Sequence, residues 1–302
     1  MVLMLEKNPL VSVVIPTFKR SINLERAIMS ALKQSYLNIE ILVVDDNDAE
    51  SEHRKQTELF MEQYNAHSNV IYIKHAKNLN GAAARNTGIK NSKGGFIAFL
   101  DDDDEWEESK ITKQVDYLLK NTDYNACYCF STKYKNGLPY FYSQYKKNGR
   151  LSADLLSLNS EIYTPSLIFY KEALLEIGGF DESFARHQDF ELLIKYFRKF
   201  EIACFAEQLV KVHVDDVTNH LSFDKFEEMK LRFLETFKKD IHRLDHNEQQ
   251  IVYKEHYFEL SYYALKSKNV IKFLSYLIKS KPTPLFLWHK KNKFLSLIKK
   301  VS

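Results

Sequence analysis

The chain has 302 residues, of which 45% are hydrophobic and 27% charged, and its formal net charge is +3. This composition is typical of a globular protein with one large or two modest domains, and it excludes an intrinsically disordered chain. Three cysteines without a C-x-x-C pair argue against a disulfide scaffold or a structural zinc site and favour a reducing compartment. No run reaches about 18 apolar residues, so we expect no transmembrane segment and a cytoplasmic protein.

The first hundred residues alternate between strand and helix patterns. Strands are predicted at 11–15 (ended by Pro16), 39–44, 70–73 and 96–100, and helices at 25–34, through 59–60 and at 82–91. This alternation predicts right-handed βαβ units and a mainly parallel sheet. Neither a G-x-G-x-x-G nor a G-x-x-x-x-G-K-S motif is present, which counts against a dinucleotide oxidoreductase and a P-loop NTPase.

The rest of the chain first mixes both patterns and then becomes helical. Predicted elements are a helix at 111–121, a strand pair at 124–134 and 140–145, a strand at 162–170, and helices at 172–177 and 189–200. Cys127 and Cys129 are expected at alternating positions of one of these strands. From residue 223 the pattern is helical almost to the end. We therefore predict an α/β domain at 1–220 and a helical, lysine-rich C-terminal extension at 221–302.

Four consecutive aspartates, Asp101 to Asp104, follow the predicted strand at 96–100. Ligands of open α/β sheets bind at the carboxyl ends of strands, and clustered carboxylates suit Mg²⁺ or Mn²⁺. One interpretation is therefore a metal that carries a phosphorylated substrate, and the other is a solvated acidic loop or helix N-terminus. Asp45 and Asp46 end a second strand at the same edge, so one carboxylate is placed to bind a base or ribose while another holds a metal on two phosphates. This arrangement suits a nucleoside diphosphate.

Six motifs follow one another over about residues 9–220. They are V-S-V-V-I-P-T-F at 11–18, E-I-L-V-V-D-D at 40–46, N-L-N-G-A-A-A-R-N-T-G at 78–88, F-L-D-D-D-D-E-W at 99–106, G-G-F-D at 178–181 and R-H-Q-D-F-E-L at 186–192. In this order they resemble the family 2 glycosyltransferases of the bacterial surface-polysaccharide type. The resemblance implies a GT-A fold, with a Rossmann-like, mixed and mainly parallel sheet flanked by helices. It also implies inverting, metal-dependent transfer of a sugar from a nucleotide sugar, usually a UDP-sugar, to a hydroxyl of a glycan or lipid-linked acceptor.

The resemblance also assigns roles on the donor side. It implies that the nucleotide pocket is lined by Pro16, Thr17 and Phe18, that Asp46 binds the base, and that Arg85 and Asn86 lie near the diphosphate or ribose. Within the acidic run, Asp101 and Asp103 match the D-x-D motif of the family. Asp103 is then the direct ligand of Mn²⁺ or Mg²⁺, Asp101 lies closer to the ribose, Asp102 fills the variable middle position, and Asp104 helps to shape the pocket of the donor sugar.

Asp189 matches the catalytic base of the family. Inversion needs an acceptor hydroxyl that loses its proton as it attacks opposite the leaving group, and a carboxylate near the acceptor accepts that proton. The alternative role of Asp189 is a helix N-cap, which is compatible with the first. The neighbouring residues His187 and Gln188 are expected on the acceptor side.

A third metal ligand is suggested by the segment Lys211-Val212-His213. It resembles an Arg-x-His-type segment in which some relatives place a metal-binding histidine, although lysine replaces arginine here. His213 is alternatively a plain strand residue, and His220 lies close enough in sequence to compete for the role.

The C-terminal region has an unbalanced charge. Residues 260–302 contain ten lysines and no Asp or Glu, so residues 1–259 carry a net −7. Near the end, apolar residues are interleaved with these lysines, which favours either an amphipathic segment on the anionic inner face of the cell membrane or a helical cap packed on the catalytic domain. The basic run is confined to this tail while the predicted cleft is acidic, so nucleic-acid binding is not expected.

Two other functions are compatible with these patterns. One is a non-catalytic subunit that binds sugar nucleotides, although such a subunit has no need of a base at Asp189. The other is a nucleotidyltransferase, which also holds phosphates through a metal on an α/β sheet but releases pyrophosphate from a nucleoside triphosphate.

Overall fold

The computed structural model describes residues 8–184, 187–214, 222–284 and 286–288, without the side chains of residues 21 and 22. The strands are β1 Val11–Thr17, β2 Ile39–Asp45, β3 Val70–Lys74, β4 Phe96–Phe99, β5 Glu105–Trp106, β6 Ala126–Lys135, β7 Leu138–Tyr142, β8 Leu167–Tyr170 and β9 Ala203–His213. The helices are α1 Ser21–Leu32, α2 Glu52–Met61, α3 Gly81–Asn91, α4 Lys110–Lys120, α5 Ser152–Leu156, α6 Lys171–Glu176, α7 Gln188–Phe197, α8 Phe223–Thr236, α9 Lys238–Ile241, α10 His246–Lys266 and α11 Val270–Ser280.

The chain divides into two compact units, residues 1–151 with 161–216, and residues 152–160 with 217–302. The segment 152–160 thus belongs with the C-terminal helices. The sequence analysis placed a single boundary at residue 220 and did not anticipate this segment. The assignment of catalysis to residues 1–220 stays a prediction.

The first unit is built on one mixed sheet in the order β3-β2-β1-β4-β8-β6-β9-β5, with β7 paired to β6. β1 is parallel to both β2 and β4, and β2 is parallel to β3, as the βαβ pattern predicts. β8 joins β4 and β6 in antiparallel fashion, while β6 and β9 are parallel. In register, Thr17 lies beside Asp45 and Val14 beside Phe99. The residues that follow β1, β2 and β4 therefore meet at one edge of the sheet.

The core of this unit is formed by apolar strands that are covered by helices. All seven residues of β2 are buried, as are all four of β4. α3 packs closely on β1, because a Cβ added at Gly88 would lie 2.2 Å from Cγ1 of Val14. This close approach sets the position of α3, whose first turn reaches the edge where β1, β2 and β4 end.

The second unit consists of α5 and the helices from α8 onward. Phe226, Leu260 and Tyr276 form a buried cluster that joins α8, α10 and α11. His256 on α10 lies with Nε2 2.9 Å from the carbonyl oxygen of Leu156, which ties α5 to this bundle. Among the residues described, no helix combines the length and the apolar character that crossing a membrane requires.

Most predicted elements are present, but two details were wrong. Pro16 does not end β1, which continues to Thr17. The pairing of β1 with β4 stops at Val14, so the missing N–H of Pro16 lies where β1 has a neighbour on one side only. The strand predicted at 162–170 begins at Leu167, because Thr164–Ser166 form a 3-10 turn that contains a proline. Cys127 and Cys129 lie two positions apart in β6, as predicted, and both are buried.

Candidate active site

A cavity of about 600 Å³ lies where β1, β2 and β4 end. Its wall combines the end of β1, the residue after β2, the first turn of α3 with the loop before it, and the acidic run. The lining residues are Pro16, Thr17, Phe18, Arg20, Asp46, Asn78, Asn80, Gly81, Ala84, Arg85, Asp101, Asp102 and Asp103. Four of the six sequence motifs therefore meet at one cavity.

Asp101 and Asp103 both line this cavity, and each is ion-paired with an arginine. Nη2 of Arg85 lies 2.5 Å from Oδ1 of Asp101. Arg20 pairs with Asp103, and its Nη1 also lies 3.5 Å from Oδ1 of Asp102. Each carboxylate of the predicted D-x-D motif is thus paired with a different guanidinium group.

Arg20 is a site residue that the sequence analysis missed. It lies three positions after Thr17, in the loop that joins β1 to α1. The signal for it is the pair of cations, Lys19 and Arg20, that follows the P-T-F motif close to the predicted strand end. Its partner Asp103 lies 83 residues further along the chain, so only the register of β1 with β4 brings the two together.

Asp102 holds the acidic run against the end of β1. Its Oδ2 accepts a hydrogen bond from Oγ1 of Thr17 at 2.8 Å. Burial raises the pKa of Asp102 to about 7, and the negative charge of Asp103 acts in the same direction. The hydroxyl of Thr17 is thereby committed to Asp102, which makes Thr17 a lining residue that also positions the run.

Asp104 is not among the residues that line the cavity, and its predicted role beside the donor sugar stays a prediction. Its carboxylate is buried and accepts a hydrogen bond from the backbone N–H of His213 at 3.0 Å. Burial raises its pKa well above the ordinary value, with a further contribution from the negative charges of Asp101 and Asp103. Because the run turns between Asp101 and Asp104, the fourth aspartate points toward β9 and links the run to the end of that strand.

Asp46 lines the cavity, but its carboxylate is engaged by its own chain. Nδ1 of His75 lies 2.7 Å from Oδ1, and the side chain of Asn78 and the backbone N–H groups of Leu79 and Asn80 donate to the carboxylate at 2.8–2.9 Å. These four contacts use the acceptor positions that a carboxylate offers. Asp46 therefore fixes the loop before α3, and its predicted contact with a base stays a prediction.

His75 is a second residue that the sequence analysis missed. Its ring is buried between Asp46 and Thr87, whose Oγ1 lies 2.8 Å from Nε2. It lies directly after β3, a strand that was predicted correctly. The sequence around a single buried histidine does not show which residues its ring contacts. Asp45 is likewise structural, since its carboxylate lies 3.0 Å from Nε of the buried Arg54.

Arg85 joins the acidic run to α7. Besides Asp101, it donates from Nη1 to Oε1 of Gln188 at 3.0 Å, and its guanidinium lies 5.6 Å from the ring centre of Phe180. Gln188 in turn donates to the carbonyl oxygen of Phe184 at 2.8 Å. Gln188, predicted on the acceptor side, is thus connected to the cavity through one arginine.

Asn86 does not line the cavity, although it follows Arg85. Its amide donates to the carbonyl oxygen of Phe180 at 2.9 Å and to Glu182 at 2.8 Å, while Oδ1 accepts from the N–H of Phe180 at 2.9 Å. Because successive helix residues point in directions about 100° apart, Asn86 faces the G-G-F-D segment rather than the cavity. Asn86 therefore positions the G-G-F-D segment, and its predicted contact with the donor stays a prediction.

Asp189 is the second residue of α7, and the charges of Arg85 and Asp101 act on its carboxylate. Its pKa is raised by burial, lowered by Arg85 and raised again by Asp101. Its Oδ1 accepts from the N–H of its neighbour Phe190 at 3.0 Å. The N-cap residue of α7 is His187, not Asp189, so the alternative role as a helix cap was wrong.

Three residues beside the site have a left-handed backbone that non-glycine residues rarely adopt. They are Lys19 with φ 60°, Asn80 with φ 100° and His187 with φ 58°. Lys19 precedes Arg20, Asn80 caps α3, and His187 precedes Gln188 and Asp189. Strain of this kind is held in place by the surrounding structure and concentrates at functional sites. The ring of His187 packs edge-on against Phe190 at 5.5 Å.

The family assignment follows from residues 12–178, which match the profile described as "Glycosyl transferase family 2". The chain belongs to glycosyltransferase family 2. It is 31% identical over 254 residues to an uncharacterized glycosyltransferase of Rickettsia prowazekii, an alignment that covers 77% of this chain and 74% of the relative. It is 28% identical over 244 residues to the amylovoran biosynthesis glycosyltransferase AmsB of Erwinia amylovora, covering 78% and 79%.

Solved structures confirm the GT-A fold of this glycosyltransferase. TarS 1–349 of S. aureus in complex with UDP superposes with a TM-score of 0.60 at 16% identity, covering 90% of this chain and 91% of TarS 1–349. The mannosyltransferase PcManGT of Pyrobaculum calidifontis, in complex with GDP-Man and Mn²⁺, gives a TM-score of 0.61 at 14% identity, covering 94% and 88%.

The side chains at the cavity fit a divalent metal in the chemistry of their donors but do not form the predicted three-residue set. Within the described ranges there is no group of three His, Cys, Asp or Glu residues that could hold a metal ion. His213 ends β9 with its ring stacked on Tyr134 and Nε2 3.6 Å from Glu105. Asp101 and Asp103 are nevertheless two oxygen donors at the cavity wall, and Mg²⁺ sites commonly combine one or two carboxylates with substrate phosphates. His220 lies outside the described residues.

Proposed function

We propose that this glycosyltransferase moves a sugar, with inversion, from a nucleotide sugar to a hydroxyl of a glycan or lipid-linked acceptor, and that the donor is a UDP-sugar. The observation that carries the proposal is the bridge formed by Arg85. On one side it holds Asp101 at the cavity, and on the other it holds Gln188, the residue next to Asp189. A donor site and a candidate base are thus held in one network.

The cavity provides the groups that a nucleoside diphosphate requires. Phe18 is 38% exposed and offers an apolar side chain beside Thr17 for a base. Arg20 and Arg85 supply positive charge for phosphate oxygens. Mn²⁺ or Mg²⁺ held by Asp103 and Asp101 would neutralise the charge that grows on the leaving diphosphate.

Asp189 is the candidate base on the acceptor side. Burial raises its pKa, and a carboxylate with a higher pKa is a stronger proton acceptor while it remains ionised near neutral pH. Arg85 opposes this shift and keeps the carboxylate available in its charged form. The proton of the acceptor hydroxyl would pass to Asp189 as the oxygen forms the new glycosidic bond. His187 and Gln188 would contact the acceptor from the start of α7.

The names of relatives support a role in cell-surface polysaccharide synthesis. AmsB is named for amylovoran biosynthesis. The Escherichia coli protein WfgD, 38% identical over 112 residues that cover 37% of this chain and 42% of WfgD, is named as a glucosyltransferase that uses UDP-Glc and a diphosphoundecaprenol-linked acceptor. A lipid-linked acceptor would place the enzyme at the inner face of the membrane, where the lysine-rich tail would contact anionic lipid. Residues 285 and 289–302 of that tail lie outside the described residues.

The decisive experiment is calorimetric titration with UDP-, GDP- and dTDP-sugars, each with Mn²⁺ and with EDTA, followed by an acceptor screen. We expect binding of a UDP-sugar that requires the metal, release of UDP on transfer, and a product of opposite anomeric configuration by NMR. Retained configuration would contradict the inverting mechanism. Pyrophosphate release from a nucleoside triphosphate would instead establish a nucleotidyltransferase, and donor binding without transfer to any acceptor would favour a non-catalytic subunit.

A further inference from the structure

Helix α11 carries apolar side chains on two faces, only one of which is packed. Tyr276 is buried in the cluster with Phe226 and Leu260. On the other side Val270, Ile271, Leu274 and Ile278 are 58%, 84%, 51% and 74% exposed. With about 100° of rotation per residue, these four lie within one arc of roughly 100° that runs the length of the helix. We name these four residues the α11 stripe.

The charged residues within α11 and next to its two ends in the sequence are all lysines. Lys268 precedes the helix, Lys281 follows it, and Lys272 and Lys279 lie on its flank, all four of them exposed. Residues 260–302 contain no Asp or Glu. Lys272 is partly neutralised by Glu227, which lies 2.8 Å from its Nζ, but Lys268 and Lys281 flank the two ends of the stripe.

This charge distribution favours one occupant over others. A second copy packed stripe against stripe would bring lysines against lysines, and the segment 289–302 of the same chain is itself basic, with five lysines and no acidic residue. Both would be repelled at low ionic strength. An anionic bilayer offers the opposite charge together with an apolar interior that accepts aliphatic side chains.

The chemistry of the stripe also suits lipid better than a protein groove. Its residues are aliphatic, they extend from a convex helix surface, and the lysines at its ends have long stems that allow their ammonium groups to reach head groups. Trp288, which is 63% exposed, follows shortly after the helix, and tryptophan is enriched at membrane interfaces. We infer that the α11 stripe is a membrane-docking surface that lies in the interface of an anionic bilayer. This surface does not depend on the donor or acceptor proposed above.

The test is co-flotation of the full chain with vesicles of phosphatidylcholine that contain about 30% phosphatidylglycerol, compared with pure phosphatidylcholine. The test variant is I271S/I278S, and the matched control is L37S/L59S, which removes two side chains that are 87% and 70% exposed in the other unit. Circular dichroism and thermal unfolding verify that each variant is folded.

We expect the parent chain and the control to float with anionic vesicles only, and I271S/I278S to lose about tenfold or more in bound fraction. A second variant, K268N/K281N, removes two charges at positions with φ of 61° and 42°, which asparagine tolerates, and should also weaken binding. Binding should fall in about 0.5 M salt.

Three outcomes would overturn the inference. The first is a parent chain that does not float with anionic vesicles. The second is an I271S/I278S variant that floats as well as the control, since binding would then reside elsewhere, for example in the segment 289–302. The third is a parent chain that self-associates without binding vesicles and becomes monomeric on I271S/I278S, which would make the stripe an interface between copies. Loss of flotation leaves donor binding in solution intact, so the outcome is independent of the catalytic proposal.

Discussion

The guanidinium of Arg85 lies 2.5 Å from the carboxylate of Asp101 and also donates to Gln188 at 3.0 Å. One side chain of α3 therefore spans from the end of β4 to the start of α7. The two predicted halves of the reaction, donor binding and proton removal, are linked through it. Changes at Arg85 should accordingly affect both.

Arg85→Met should shift the pH dependence of transfer. The positive charge of Arg85 lowers the pKa of Asp189, so its removal raises that pKa further. Because the base must be ionised, the acid limb of kcat/KM should move to higher pH, by roughly 0.5–1 unit. Arg85→Lys, which keeps the charge, is the control and should show a smaller shift. An acid limb that stays in place in Arg85→Met would separate Arg85 from the titration of the base.

Asp189→Asn should slow transfer by about 10²–10⁴ while it preserves donor binding. The amide has nearly the shape of the carboxylate but does not accept a proton, and loss of a general base typically costs about 10²–10⁴ in rate. Single-turnover transfer measures the chemical step, and calorimetry measures donor affinity. Asp123→Asn, at an exposed position away from the cavity, is the matched control. If Asp189→Asn turned over at the parent rate, another residue would have to be the base.

Asp103→Asn should lose donor binding that depends on metal. Asp103 lines the cavity, and the substitution removes its negative charge and replaces one carboxylate oxygen, a donor that Mn²⁺ or Mg²⁺ would use, by an amide nitrogen. We expect the difference in donor affinity between Mn²⁺ and EDTA to disappear in this variant. Asp104→Asn is the contrasting variant, because Asp104 faces His213 instead of the cavity. Equal loss in both variants would show that the change acts through the fold of the acidic run.

The motifs predicted which residues lie near the cavity. They did not predict which side chains contact each other when the two residues lie far apart in the chain. Thr17, Arg85, Asp101 and Asp103 all line one cavity, because each lies close to the end of a predicted strand or near the start of a predicted helix, while their roles there stay predictions. Asp46 ends the motif at 40–46 and Asn86 follows Arg85 in the motif at 78–88, but the carboxylate of Asp46 binds the loop before α3 and the amide of Asn86 binds Phe180. A motif shows that a residue lies near the site, but not in which direction the side chain points.

Arg20 and His75 show the other limit of sequence reasoning. The partner of Arg20 is 83 residues away, and His75 is held between Asp46 and Thr87 by the packing of β2, β3 and α3. Neither contact corresponds to a pattern among neighbouring residues of the sequence. The same holds for α5, which joins helices that begin more than 60 residues later in the chain.

Lys110→Met should stabilise the protein at neutral pH. Lys110 is fully buried at the start of α4, and its Nζ lies 4.1 Å from the ring centre of Trp106. Within the part of the chain that the structure describes, Nζ has no hydrogen-bond partner. Burial lowers its pKa from 10.5 to about 8, so at pH 7 the folded state bears the cost of a buried charge.

The sign of the pH dependence follows from proton binding. Between pH 8 and 10.5 the unfolded chain holds a proton on Lys110 that the folded chain has released, so the free energy of unfolding of the parent rises with pH in this window. Below pH 8 the full penalty, about 3 kcal/mol from the shift, is present. Lys110→Met should therefore gain up to about 3 kcal/mol at pH 7, with the advantage shrinking toward pH 10.5.

Urea unfolding at pH 7 and pH 9.5 measures both the gain in stability of Lys110→Met and its decrease with rising pH. Lys120→Met is the matched control, because Lys120 is exposed at the end of the same helix and should change stability little at either pH. A Lys110→Met protein that is less stable than the parent at pH 7 would show that the attraction between the ammonium and the ring of Trp106 outweighs the cost of burial. The buried lysine would then contribute to the stability of the strand and helix that flank the acidic run.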